Sequence, residues 1–321
     1  MNRRDDHFPA ALGPRKTLGP SLMLVVGILG ISTASLWARG SSAGGAELAF
    51  RRLILTVPIL WLIARSRARG EPVDSLARGA PWVLLSGISL AVHFSAYFAS
   101  LARLESVAVT LVFVSLHPVL LFTIEGLFPP VRGAARSGLR LWQLTGVLLA
   151  VGGSVGLAWD ESLRDDGDPI GIAYGCLSAV GMVGYLLAGR RASRLLPATI
   201  YARRSYTVAA IILAMGVIAS GGTLVPENGL EWRIALLLAF FPTVLGHTPM
   251  NAALNHLPAT VVSTAFLGEV VGASILVWVF LGEVPPDGFW IFGSAIAAGV
   301  LVVSWPSRRG NTGPGKTPLA R

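Results

Sequence analysis

The chain has a single cysteine, Cys176, among 321 residues, and only 13% of its residues are charged. A soluble protein of this size carries about a quarter charged residues. The lone thiol excludes an intrachain disulfide and a cysteine-built metal site, and its apolar surroundings make it a packed core thiol. With 53% hydrophobic residues and a mean hydropathy of +0.65, the low charge argues against a soluble globular class. Acidic residues are the scarcer kind, 17 against 26 Lys and Arg, for a net charge of +9. The basic residues nevertheless fall in short clusters between apolar stretches, not along one polar face, so nucleic acid is not the expected partner. Catalytic signatures are missing too. "ARGSSAGGA" lacks Walker spacing, "LSGISL" lacks the G-x-S-x-G spacing, and neither H-E-x-x-H nor H-x-x-x-H occurs. No cofactor and no metal is expected. No connection between apolar stretches is long enough for a soluble domain.

What the sequence does contain is apolar segments long enough to cross a bilayer core, for which a helix needs about 20 residues. Ten are present, near 20–37, 46–64, 82–101, 107–127, 141–159, 169–188, 200–220, 233–253, 259–281 and 288–305. The second and seventh open on paired arginines, Arg51–Arg52 and Arg203–Arg204. Short connections rich in Gly, Pro or charge separate them, including the acidic "DESLRDDGDP", which reads as a solvated loop. The first segment resembles a signal peptide in length, but nine further segments favour a retained helix. Residues 1–19 and 306–321 read as cytoplasmic tails. With the N-terminus inside, the inner connections hold the clusters Arg65–Arg69, Arg132–Arg140 and Arg190–Arg194, and the tails hold Arg3, Arg4, Arg308 and Arg309. The outer connections hold only Arg39, Arg103, Arg164 and Arg233. This asymmetry predicts ten spans with both termini cytoplasmic, in a plasma or inner membrane.

The chain also repeats itself. "ELAFRRLILT" (47–56) matches "TIYARRSYTV" (199–208), and Glu269 lies 152 residues after His117. "HFSAYFASLARL" (93–104) answers "HTPMNAALNHL" (247–257), and "GVLLAVGG" (146–153) answers "GSAIAAGV" (293–300). The collinear order predicts two repeats, 20–160 and 168–305. Five spans apiece is an odd number, so the halves must run in opposite senses. The expected fold class is an all-α polytopic membrane protein, ten transmembrane helices forming two inverted five-helix repeats, with a substrate site where the halves meet.

On these residues the chain resembles the EamA-like permeases of the drug/metabolite transporter superfamily. The resemblance covers about residues 20 to 305 and is carried by "GHTPMNAALNHLPATVVSTAFLGEVVGASILVWVFLGEVP" in the second half and "HFSAYFASLARLESVAVTLVFVSLHPV" in the first. Two departures stand out. Val270 replaces the proline usual after the glutamate. The first-half counterpart of Glu283 is Val131. The resemblance implies a transporter of a small solute and leaves the solute open.

One residue calls for a function. Glu269 sits about ten residues into an apolar span, where an acidic side chain costs about 2.5–3.5 kcal/mol to insert. His93, His117 and His247 lie at similar depth. His93 with Tyr97, and His247 with Asn251 and Asn255, each form a helical stripe. These seven residues are the expected substrate or proton site, with Arg51 and Arg203 as inward-reaching alternatives to interfacial anchors. Pro118 directly after His117 predicts a kink at the polar layer. The expected mechanism is alternating access of a secondary transporter, an exporter, coupled to protons through Glu269. Expected partners are the solute, protons and lipid, and a homodimer is admitted. A membrane-embedded His/Glu enzyme and a receptor or scaffold without transport remain as alternatives.

Overall fold

The computed structural model describes residues 19–65, 73–127, 141–162, 168–192 and 194–305. The expected tails, the basic connections holding Arg67, Arg69, Arg132, Arg136 and Arg140, and residues 163–167 of the acidic connection lie outside the described residues. The described residues are helical, with no strand among them. In chain order the helices are α1 (Pro20–Ile31), α2 (Ala34–Ala38), α3 (Gly45–Arg65), α4 (Val73–Arg103), α5 (Val107–Val114), α6 (His117–Leu127), α7 (Leu141–Ser162), α8 (Pro169–Ala192), α9 (Ala198–Ala219) and α10 (Gly229–Leu238). A π-helical stretch, Ala239–His247, leads into α11 (Thr248–Ala253), followed by α12 (Ala259–Phe266), α13 (Gly268–Leu281) and α14 (Phe289–Ser304). Every apolar segment of the sequence is thus helical. Six stretches are long and apolar enough to cross a membrane: Pro20–Ala38, Ala77–Arg103, Pro169–Ala192, Thr199–Ala219, Gly229–Ala253 and Ala259–Leu281. Val107–Leu121, Leu141–Leu157 and Phe289–Ser304 are shorter apolar helices. In α3 the charges of Glu47, Arg51 and Arg52 dilute the hydropathy.

Several helices are interrupted, each for an identifiable reason. At Ser115–Leu116 the chain leaves α5 and restarts as α6 at His117. Pro118 then occupies the first turn of α6, where a missing N–H has no partner to lose. The break lies just before the proline, not at it. The second such break, at Leu267, forms without proline. The amide of Leu267 bonds to Thr264 O (3.0 Å) and that of Val270 to Leu267 O (3.1 Å). These i to i−3 bonds tighten the turn and re-aim the helix. The π-helical stretch contains Pro242, which has no N–H to offer. The Thr243 hydroxyl donates to Leu238 O at 2.8 Å, the carbonyl that an amide at position 242 would serve in an α-helix.

The packing pairs are α4 with α8, α7 with α14, α3 with α9, and α1 with the π-helical stretch. Glycines permit the close approach of two of these pairs. A Cβ on Gly181 of α8 would lie 2.7 Å from the backbone nitrogen of His93, and one on Gly30 of α1 would lie 2.6 Å from that of Gly246. Such bare surfaces let helix backbones touch where lipid offers no hydrophobic drive between helices.

Polar contacts gather at one end of the bundle. Arg39 donates to the carbonyls of Leu101 (2.8 Å), Leu104 (3.0 Å) and Glu105, and pairs with Glu283 at 3.4 Å. Glu283 in turn accepts the Val107 amide at 2.5 Å. Arg51 pairs with Glu47 (3.7 Å) and Glu231 (3.5 Å) and donates to Thr223 and Val225. Ser41 and Ser42 donate to Glu231. Arg103 pairs with Asp168 at 2.6 Å.

Candidate functional site

Where α2, α3, α4, α5, α13 and the π-helical stretch converge, Ala34, Arg52, His93, Phe94, Tyr97, Val114, His247 and Glu269 enclose a cavity. It has room for about one water molecule. Each side chain reaches it for a local reason. Glu269 lies in the first turn of α13, where the positive end of the half-helix favours a carboxylate by about 0.3–1 kcal/mol. It accepts no hydrogen bond from the described residues. No ion pair within 4.0 Å joins it to Arg52.

Arg52 is 1% exposed. Its Nε donates to the Thr243 hydroxyl at 2.6 Å, and its guanidinium carbon stands 4.1 Å from the centre of the Phe94 ring. The hydroxyl that bonds the backbone around Pro242 therefore also fixes this guanidinium. His93 is held by α8: its Nδ1 lies 3.0 Å from Ser178 O and 2.9 Å from the Ser178 hydroxyl. Gly181, one turn along α8, permits that approach. The His93 ring stacks on Tyr97 (centroids 6.4 Å apart) and meets His247 edge-on at 6.2 Å. The Tyr97 hydroxyl bonds to Ser35 at 2.8 Å. His247 packs against Phe94 and Phe266, with ring centres at 5.1 and 5.4 Å, and its buried Nδ1 has no hydrogen-bond partner among the described residues.

A second cavity, of about 210 Å³, lies one helical turn away. Ala38, Arg39, Ser41, Ala43, Leu48, Phe98, Leu101 and Ala102 line it. Ala34 and Ala38 on α2, and Tyr97 and Leu101 on α4, place the two cavities along one seam. The Ser35–Tyr97 hydrogen bond lies beside that seam.

The expected site residues therefore divide. Glu269, His93, His247 and Tyr97 come together. His117 is buried but does not line the cavity; its Nδ1 bonds to the Ser263 hydroxyl at 2.7 Å and its ring meets the edge of Phe266 at 5.7 Å. Phe266 touches both His117 and His247. Asn251 belongs to another cluster, donating to the hydroxyls of Tyr185 and Tyr206, the latter at 3.2 Å. Asn255 is exposed in the turn that follows α11, because the helix ends at Ala253 and the stripe stops with it. Arg51 is held by Glu47 and Glu231 at the polar end of the bundle. Arg203 stacks its guanidinium 4.3 Å from the Trp61 ring centre. Neither arginine lines the cavity.

Arg52 is the residue that sequence reading passed over in favour of its neighbour. A signal was present. Glu47 and Arg51 are four apart and pair along α3, which leaves Arg52, about 100° further round the helix, to face the interior. Ser35, Ser178, Ser263 and Thr243 carried no such signal, since a lone hydroxyl in a span more often bonds its own helix.

Residues 169–305 match the model of the EamA-like transporter family. Curated proteins yield no match. One solved crystal structure is similar at a TM-score of 0.68 and 19% identity, over 88% of this chain and 96% of its own. That likeness is one of fold alone.

Proposed function

We infer that this chain, whose residues 169–305 match the EamA-like transporter family, is a member of that branch of the drug/metabolite transporter superfamily and an exporter that works by alternating access. As in that family, it is a multi-pass membrane protein moving a small solute. The finer reading has ten spans in two inverted repeats, 20–160 and 168–305, with both tails cytoplasmic in a plasma or inner membrane.

Several relations support the repeats. The breaks before His117 and Glu269 fall at equivalent places, 152 residues apart. The packing of α4 on α8 is answered by that of the π-helical stretch and α11 on α1, while α3–α9 and α7–α14 each pair equivalent segments. Gly181 against Ser89 and His93 is answered by Gly30 against Leu245 and Gly246. The polar contacts of residues 39–44, 104–107, 168, 223–231 and 283 gather at one end, as they would if successive segments alternate in direction. An odd number of segments per half then sets the halves in opposite senses.

The observation that carries the mechanism is the environment of Glu269. It is a buried carboxylate without a hydrogen bond among the described residues, in an apolar helix, at the mouth of a half-helix, beside Arg52, His93, Tyr97 and His247. Such a residue has no packing rationale and the right chemistry to exchange a proton or hold a cationic group. Proton entry at Glu269 and solute release at the same cavity couple the two fluxes. The seam toward Arg39 is one route in or out. Glu269→Gln preserves shape and removes the titration. In proteoliposomes with an imposed pH gradient, the variant is expected to insert and fold but to lose proton-driven movement. Parent-like transport over about pH 5.5 to 8 by Glu269→Gln would make the glutamate a packing residue and refute the coupling.

A further inference from the structure

Resting on the transport reading above, we propose that Arg39 and Glu283 form a latch that keeps the central cavity shut off from the polar end of the bundle, and that its release opens the seam between them. The inference starts from a mismatch in space. The central cavity holds about one water molecule, whereas its neighbour toward the polar end measures about 210 Å³. The wall between the two includes the contact of α2 with α4, which is hydrogen-bonded at two levels. Ser35 on α2 bonds to Tyr97 on α4 at 2.8 Å. Arg39, four residues beyond Ser35, donates to the carbonyl of Leu101, four residues beyond Tyr97, also at 2.8 Å. The matched steps show α2 and α4 running side by side in one direction. Arg39 Nη2 donates further to the Leu104 and Glu105 carbonyls, at the end of α4 where carbonyls lack helical partners. One side chain thus ties the end of α2 to the end of α4.

Glu283 brings a third and a fourth helix to the same point. It follows Gly282, which ends α13 in the left-handed region at φ 74°. Its Oε1 accepts the Val107 amide at the start of α5, and its Oε2 lies 3.4 Å from Arg39 Nε. That Nε is buried and has no hydrogen bond among the described residues. An ion pair of this length, between side chains 21% and 25% exposed, contributes little by itself. It aligns α2, α4, α5 and α13, yet a small displacement breaks it, which a reversible closure requires. The displacement has a source. Helix α13 runs without a break from Glu269 at the central cavity to the turn that carries Glu283. A movement of α13 at the cavity therefore reaches the latch through a rigid rod about 20 Å long. With Glu283 withdrawn, Arg39 keeps only neutral carbonyls as partners, and the α2–α4 wall is free to part at Ser35 and Tyr97.

The test uses the full chain in lipid nanodiscs, with Cys176→Ser removing the native thiol and Ala34→Cys placing a reporter in the central cavity. The probe is a water-soluble methanethiosulfonate, and the readout is its rate of reaction, which needs no solute. A cavity with room for one water excludes the reagent, so the reporter should react slowly while the latch is intact. Glu283→Gln, which removes the charge and keeps the shape, should speed the reaction by about 3- to 5-fold. Arg39→Gln, which also loses carbonyl contacts, should speed it by more than about 10-fold, and the double variant should add little beyond that. Arg39→Lys should fall between the parent and Arg39→Gln. Ala150→Cys, fully buried on α7, is the control and should stay unreactive throughout. If Arg39→Gln does not fold, Glu283→Gln decides alone. A reporter that is already fast in the parent, or that Glu283→Gln leaves unchanged, would overturn the latch and leave the transport reading standing. Equal gains at Ala34→Cys and Ala150→Cys would show general loosening and overturn it too. A reporter that answers to the latch in a chain that moves no solute in proteoliposomes would remove the transport reading and keep the latch.

Discussion

The closest helix contact behind the cavity makes a quantitative prediction. Gly181→Ala places a Cβ 2.7 Å from the His93 backbone nitrogen and 2.8 Å from Ser89 O, where ordinary contact begins at 3.4 Å. Both neighbours are backbone atoms of a packed helix and cannot rotate away. Helix α8 must therefore withdraw from α4 by about 0.7 Å. The His93 Nδ1 to Ser178 O distance, now 3.0 Å, would lengthen to about 3.7 Å, beyond a useful hydrogen bond. Overpacking costs about 1–3 kcal/mol and the lost bond about 1 kcal/mol more, so a loss of about 2–4 kcal/mol is expected. The assay is unfolding of the purified protein titrated with denaturing detergent, read by tryptophan fluorescence, alongside transport. Gly216→Ala is the control, because nothing lies within 4 Å of its Cβ position; there the helix should gain up to about 1 kcal/mol. Gly30→Ala, facing Gly246 N at 2.6 Å, should cost a similar amount while leaving the His93–Ser178 contact in place. If Gly181→Ala unfolds within about 0.5 kcal/mol of the parent, the glycine is not what sets the approach of α8 to the cavity.

Arg51→Ala should destabilise by about 3–5 kcal/mol, since it leaves Glu231 buried with only Ser41 and Ser42 as partners; a change in solute selectivity with unaltered stability would instead return Arg51 to the site. Reporter fusions after residues 70, 135 and 310 should report cytoplasm and those near 42 and 165 the outside; a reversal at 310 would remove the ten-span arrangement. Asp168 supplies a pH signature outside the spans: partial desolvation pushes its carboxyl up, but the amides of Ile170 and Gly171 and the Arg103 guanidinium outweigh it and hold the group below the usual carboxylate range. A depressed value in the folded chain stabilises above the unfolded value and is lost as pH falls, so Asp168→Asn should lower the thermal midpoint near neutrality and the deficit should close below about pH 4; a deficit unchanged down to pH 3 would contradict the pairing.

The sequence by itself determined the class of the molecule, because lipid leaves few choices. A backbone in hydrocarbon must satisfy its own hydrogen bonds, so ten apolar runs separated by Gly, Pro and charge can be read directly as helices. That Glu269, His93 and His247 reach one level of the bundle was legible for the same reason, since position along a helix is distance along its axis. The sequence did not say which way around each helix a side chain points relative to its neighbours. Arg51 and Arg52 are identical in kind and adjacent, and only the docking of α3 against α9 and the π-helical stretch sent one to the polar end and the other into the cavity. Asn255 shares a stripe with His247 on paper, yet the helix stops at Ala253, and a periodicity argument holds only while the helix continues. The break at Leu267 came without the expected proline, made by two short turns of hydrogen bonds that composition does not announce. His117, 152 residues before Glu269, was turned onto Ser263 and Phe266 by tertiary packing. Depth and helicity are properties of one segment and its solvent, whereas azimuth and partner are set by all the segments together, and the tertiary structure alone decides them.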